Sequence, residues 1–306
     1  MKSDGGAGRR VGLLLLLLVF LGCFGEGEPA RAQAMPRMDG DRAMAHLRAQ
    51  TDFGPRVPGT EAHRRTRDYL VETLRRFANE VLVQSFPHET ENGSVEMVNV
   101  VATFGPDGPD PILLSAHWDS RPFADQEEDP DRASQPIPGA NDGASGVAVL
   151  LEIARQMKAV PPPVPVTIVL FDGEDWGRTA ATMFVGSRYY AANPIPTRPK
   201  YGILVDMVGD ADLRIPIEPI SQRAAPWLID ALWRIAEEIG IDAFVREMGP
   251  PIQDDHVPLI RAGIPTVNLI DFTYPYWHTL EDTPDKCAPE SLAAVGDVIL
   301  RYLYTR

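Results

Sequence analysis

Apolar residues recur at helical spacing early in the chain, then fall into strand-like runs, then alternate between the two. Asp41 to Gln50 reads as a short helix. After the stretch Phe53 to Gly59, broken by Pro and Gly, residues Tyr69, Leu70, Leu74 and Phe77 mark a second helix, with Thr60 as N-cap and an end near Asn79. Val81 to Phe86, Val95 to Phe104 and Ile112 to Ala116 read as strands, and the polar turn Glu89 to Gly93 makes a hairpin of the first two. Helices then alternate with strands. Gly143 to Met157, Ala224 to Ile239, Val257 to Arg261 and Pro289 to Tyr304 are the helices, and Val166 to Phe171, Tyr201 to Val208 and Thr266 to Ile270 the strands. The alternation predicts an α/β fold with a mixed, mostly parallel central sheet sandwiched between helices. No repeat and no linker divides residues 40–306, so a single domain is expected there.

The run Val166 to Phe171 is apolar and β-rich, as in a strand buried on both faces, and it stops at Asp172-Gly173-Glu174-Asp175. Carboxylates at the C-terminal end of a sheet strand lie where open α/β sheets bind ligands, although an ordinary acidic turn is the plain alternative. His117 follows the strand Ile112 to Ala116, at the same edge if the two strands are parallel neighbours. Asp142 stands in Pro138 to Gly146, a run of small residues opening a helix. There it either caps the helix or faces something that the glycines let approach. Asp206 lies in the apolar strand Ile203 to Val208, where a bare carboxylate is costly unless paired or bound to metal.

Composition narrows the chemistry. The chain has 306 residues, 44% hydrophobic and 24% charged, enough for a large core. A formal net charge of -14 argues against nucleic acid and suits bound cations. With only Cys23 and Cys287 there is no disulfide framework and no thiolate metal site, so a metal must use His and carboxylate ligands. Nitrogen and oxygen donors suit a catalytic zinc. Residues 1–34 have the pattern of an export signal, with Lys2, Arg9 and Arg10 before the apolar stretch Val11 to Phe24. Cleavage after Ala32-Gln33-Ala34 would release a periplasmic or secreted protein, while Leu21-Gly22-Cys23 loosely suits lipid anchoring through Cys23. Cys287 is then expected to be unpaired.

Taken in order, His117-Trp118-Asp119-Ser120, Gly139 to Gly146, Gly173-Glu174-Asp175, Asp206 and Trp277-His278-Thr279 resemble the motifs of metallopeptidase family 28. That family holds the zinc aminopeptidases and their glutaminyl cyclase relatives. The resemblance runs from about Phe53 to the C-terminus. It implies a zinc-exopeptidase fold of the phosphorylase/hydrolase-like type, one zinc on Asp142, Asp175 and His278, and Glu174 as acid/base. In the dinuclear peptidases Asp142 would bridge to a second zinc on His117 and Asp206. Asp175 departs from the Glu that is common at its place, and the shorter arm should still reach metal.

Gln253-Asp254-Asp255-His256 and the Trp277 that precedes His278 resemble the cyclase branch. The resemblance therefore implies a glutaminyl-peptide cyclotransferase acting on peptide or protein N-termini, with one zinc per chain and no stable partner protein. Glu174, Asp254 and Asp206 would form the proton-handling set, with Trp277 and Gln253 against the substrate. The alternative is an aminopeptidase with two zincs. A binding ectodomain without catalysis would be expected to lack a ligand or the general base, and none is missing here.

Overall fold

The computed structural model describes residues 35–91 and 93–306. The export signal expected over residues 1–34, with Cys23, lies outside the described residues. Among the described residues no helix is long and apolar enough to cross a membrane.

In chain order the elements are α1 (Gly40–Thr51), α2 (Glu61–Arg75), β1 (Glu80–Thr90), β2 (Gly93–Phe104), β3 (Ile112–His117), α3 (Pro130–Ala133) and α4 (Ala144–Ala159). They continue with β4 (Val166–Phe171), α5 (Val185–Ala192), β5 (Tyr201–Asp206), β6 (Ile215–Ile217), α6 (Pro219–Ala224) and α7 (Pro226–Ile239). The last are β7 (Phe244–Met248), α8 (His256–Arg261), β8 (Thr266–Ile270) and α9 (Pro289–Tyr304).

Six strands form the central sheet in the order β1-β2-β4-β3-β5-β8. β4, β3, β5 and β8 run parallel, and the β1–β2 hairpin joins them antiparallel at β4. This is the mixed, mostly parallel sheet expected from the pattern. Every residue of these four parallel strands is buried, which explains their continuous apolar sequence. Alternate side chains face opposite layers. Ile112, Leu114 and Ala116 pack with helices α1, α2, α4, α7 and α9, whereas Leu113, Val169 and Phe171 pack with Tyr190 of α5 and Leu259 of α8.

Several boundaries differ from the sequence reading. β1 continues to Thr90, which pairs with Gly93, so the expected turn residues Glu89 and Thr90 belong to the strand. Pro87 is tolerated there because β1 is an edge strand. β5 ends at Asp206 rather than Val208, since Met207 takes a left-handed φ of 46°. The helix expected from Ala224 begins at Pro226. Ala225, held at φ -145° and ψ 60° before the proline, separates it from α6. The short elements α3, α5, α6, β6 and β7 lacked a readable period. Cys287 is buried and forms no disulfide among the described residues.

Candidate active site

The C-terminal ends of β3, β4, β5 and β8 carry the site, where the loops after parallel strands converge. β3 and β4 are parallel neighbours with His117 opposite Phe171. His117 closes β3, Asp206 closes β5, and Glu174 and Asp175 follow β4 in a turn made by Gly173 at φ 69°. Asp119 fixes that turn, its carboxylate accepting the backbone N–H of Glu174 at 3.1 Å and of Asp175 at 3.2 Å. Asp172 turns the other way. It accepts from Val98 N–H at 2.7 Å and meets His63 Nε2 at 2.9 Å, so only two of the three acidic residues after the strand face the site.

Asp142 does not cap α4. The N-cap is Gly143, at φ 92° and without a side-chain capping bond. A Cβ on Gly143 would stand 2.7 Å from the Asp119 carbonyl oxygen and 2.9 Å from His117 Cε1, so only glycine lets the loop pass this close. Beneath the loop, the buried Arg56 donates to the carbonyls of Trp118 (3.0 Å), Pro138 (2.7 Å) and Gly139 (2.6 Å). Burial lowers its pKa to about 10, which leaves it cationic at neutral pH. Asp282 completes the support by accepting from the N–H of Asn141 (2.8 Å) and Asp142 (3.1 Å) and from the Tyr274 hydroxyl (2.8 Å). Arg56→Ala would leave several interior carbonyls unpaired and is expected to cost about 3–5 kcal/mol of stability. Urea unfolding checks this, and a loss below about 1 kcal/mol would show that the loop holds without the guanidinium.

Two nests of ligand atoms share Asp142. Its Oδ2 lies 3.5 Å from His278 Nε2, which is 3.4 Å from Asp175 Oδ1. Its Oδ1 lies 3.1 Å from His117 Nε2, which is 3.2 Å from Asp206 Oδ1. Asp142, Asp175 and His278 each offer one ligand atom within 4.8 Å of the others, and so do His117, Asp142 and Asp206. Ligand atoms about 2.0–2.1 Å from a tetrahedral zinc stand roughly 3.3 Å apart, so the spacing around His278 suits that ion. Buried Asp175 Oδ2 has no hydrogen-bond partner among the described residues. The donor set fits zinc.

Burial and the close approach of several carboxylates shape the electrostatics of the cluster. Burial, then the charge of Asp175, pushes Asp142 up to about 7. Burial and the same neighbour hold Glu174 well above the ordinary carboxyl range. At Asp175 burial acts upward, but His278 beside it wins and keeps the carboxyl below its usual value. Burial would lower His278, yet Asp175 and Asp125 raise it to about 9.

Glu174, Asp206, Asp254, Gln253, Trp277 and His278 line one cavity of about 410 Å³, with Phe272, Met207 and Ile252 among its apolar walls. Trp277 stacks on His278 with ring centroids 3.9 Å apart, and Phe272 packs on its indole at 4.9 Å. Asn268 Nδ2 of β8 donates to Asp254 at 2.6 Å, and burial followed by Asp206 lifts Asp254 to about 6. Gln253 is exposed at the rim. Of the site residues expected from sequence, Asp142 and Asp175 also line this cavity, whereas His117 does not and lies against Asp142 and Asp206. The sequence reading missed the supporting residues Arg56, Arg121, Asp125 and Asp282, which lie in loops without period. Asn268 had a signal, as a polar residue inside the apolar strand Thr266 to Ile270.

The sequence model described as Peptidase family M28 matches residues 99–303. A Tannerella forsythia glutaminyl cyclase structure superposes with a TM-score of 0.85 at 39% identity, covering 89% of this chain and 100% of that one. A Zn-dependent exopeptidase from Parabacteroides distasonis gives 0.86 at 37% identity, with 89% and 100% covered. Aminopeptidase YwaD of Bacillus subtilis is 28% identical over 64% of this chain, and the match spans 41% of that protein's length. The family match over residues 99–303 covers more than half of the chain, and the chain belongs to peptidase family M28.

Proposed function

We propose that this protein is a zinc-dependent glutaminyl-peptide cyclotransferase, converting an N-terminal Gln to pyroglutamate. The observation that carries the reading is the pairing, in one walled cavity, of Glu174 with a second buried acid, Asp254, beside the Trp277 face. The similarity to glutaminyl cyclase structures supports it. Asp142, Asp175 and His278 would hold zinc, which supplies polarisation of the γ-carbonyl oxygen.

The residues of this chain do the remaining work. The substrate α-amine forms a bond to the γ-carbon, the bond to the amide nitrogen breaks, and ammonia leaves. Glu174, held above the ordinary carboxyl range by burial, takes the proton from the attacking amine and returns it to the departing nitrogen. Asp254 and Asp206 face the N-terminal amine and orient it. Trp277 closes one wall and excludes water, so that intramolecular attack competes with hydrolysis. An N-terminal segment of a peptide or protein is the substrate.

The nest of His117, Asp142 and Asp206 favours a second reading, a dinuclear zinc aminopeptidase. Zinc content and product chemistry separate the two. A cyclase should carry one zinc and convert a Gln-peptide to equal amounts of pyroglutamyl peptide and ammonia. Two zincs, with release of free leucine from a Leu-peptide faster than any cyclisation of Gln, would overturn the proposal.

A further inference from the structure

His278 is placed in a conformation that its own backbone resists. Its φ of 56° lies in the left-handed region that residues other than glycine rarely occupy, so its surroundings must hold it there. Residues of the loop after β3 supply the hold. Asp125 Oδ1 lies 2.9 Å from His278 Nδ1, and the Gln126 N–H donates to the His278 carbonyl at 3.2 Å. Asp125 is itself clamped by Arg121, whose Nε and Nη2 donate to its two oxygens at 3.0 and 2.7 Å. The third guanidinium nitrogen, Nη1, donates to Asp175 Oδ1 at 3.2 Å. One arginine therefore ties together the carboxylate behind the histidine and the carboxylate in front of it.

We infer that Asp125 is a positioning residue for the metal centre, with Arg121 as its brace: by accepting the Nδ1 proton it fixes the His278 tautomer and aims Nε2 at Asp142 and Asp175. The inference rests on the reading of His278 as a zinc ligand. A neutral imidazole has one N–H, and an acceptor at Nδ1 places it there, leaving the Nε2 lone pair toward the ligand oxygens. The carboxylate also raises the basicity of the ring. The Trp277 stack holds the ring plane, and Asp125 sets its rotation within that plane.

The test compares zinc dissociation constants, measured by chelator competition, for the wild type and Asp125→Asn, Asp125→Glu and His278→Ala, together with the melting temperatures of the metal-free proteins. Asp125→Asn should bind zinc about 10–100-fold more weakly with its metal-free melting temperature unchanged, and Asp125→Glu should recover part of the loss. Wild-type zinc affinity in Asp125→Asn while His278→Ala loses the metal would overturn the inference and leave the ligand reading standing. Wild-type affinity in His278→Ala would overturn both. A lower metal-free melting temperature in Asp125→Asn with zinc affinity unchanged would make Asp125 only a fold-stabilising residue, which also overturns the inference.

Discussion

Glu174→Gln is expected to lower cyclisation of a Gln-peptide by about 10²–10⁴-fold while the fold and the bound zinc are retained. The amide keeps the size and the hydrogen-bonding reach of the side chain but cannot carry a proton from the attacking amine to the leaving nitrogen. Glu174 lines the cavity, and its backbone N–H is anchored on Asp119, so the turn does not depend on the carboxylate. Removing an acid from this crowded set relieves repulsion, because Asp175, Asp254 and Asp255 all push the Glu174 proton affinity up. The variant should therefore melt no lower than the wild type. Near wild-type turnover with normal zinc would remove Glu174 from the proton-transfer role and pass it to Asp254.

What the sequence could show of this site depended on how each residue is held. His117 and Asp206 end buried strands, and a titratable side chain after an apolar run stands out against its neighbours. Glu174 and Asp175 follow such a run as well. Asp142 was visible through the glycines around it, although the same pattern also suits a helix cap. The structure separates the two, because the capping position falls on Gly143. Arg56, Asp125 and Asp282 act through contacts of long sequence separation in aperiodic loops. Arg56 reaches Gly139, and Asp125 reaches His278 across a separation of 153 residues. No local pattern records such contacts. The fold was legible because its four parallel strands are continuous apolar runs, whereas the pair β6–β7 spans a half-exposed surface and carries no alternation.

Asp142→Ala and His278→Ala should each lose bound zinc and turnover together, whereas His117→Ala should keep the zinc and lose only part of the turnover. The loss in affinity for the first two should exceed the ~10–100-fold expected from removing an outer partner such as Asp125, because a ligand atom itself is gone. The contrast follows from geometry. Asp142 turns one oxygen toward each nest, so its removal empties both, while His117 meets Asp206 and the Oδ1 side of Asp142, and also groups with Glu174 and Asp175, but is no member of the nest of Asp142, Asp175 and His278. In a cyclase that second nest stays metal-free. His117 then serves as a buried partner for Asp142, Asp119 and Asp206, which keep it protonated well above its ordinary range despite burial. Replacing it leaves those carboxylates without a cation and disturbs the aim of Asp142 without taking a ligand from zinc. Metal analysis of the purified variants, beside the assay of pyroglutamyl product, reads both effects. Loss of one of two zinc equivalents in His117→Ala, with peptide hydrolysis falling in step, would place a second ion in that nest and make the protein an aminopeptidase. Stoichiometric zinc in His278→Ala would show that the nest around Asp175 is not where the metal binds.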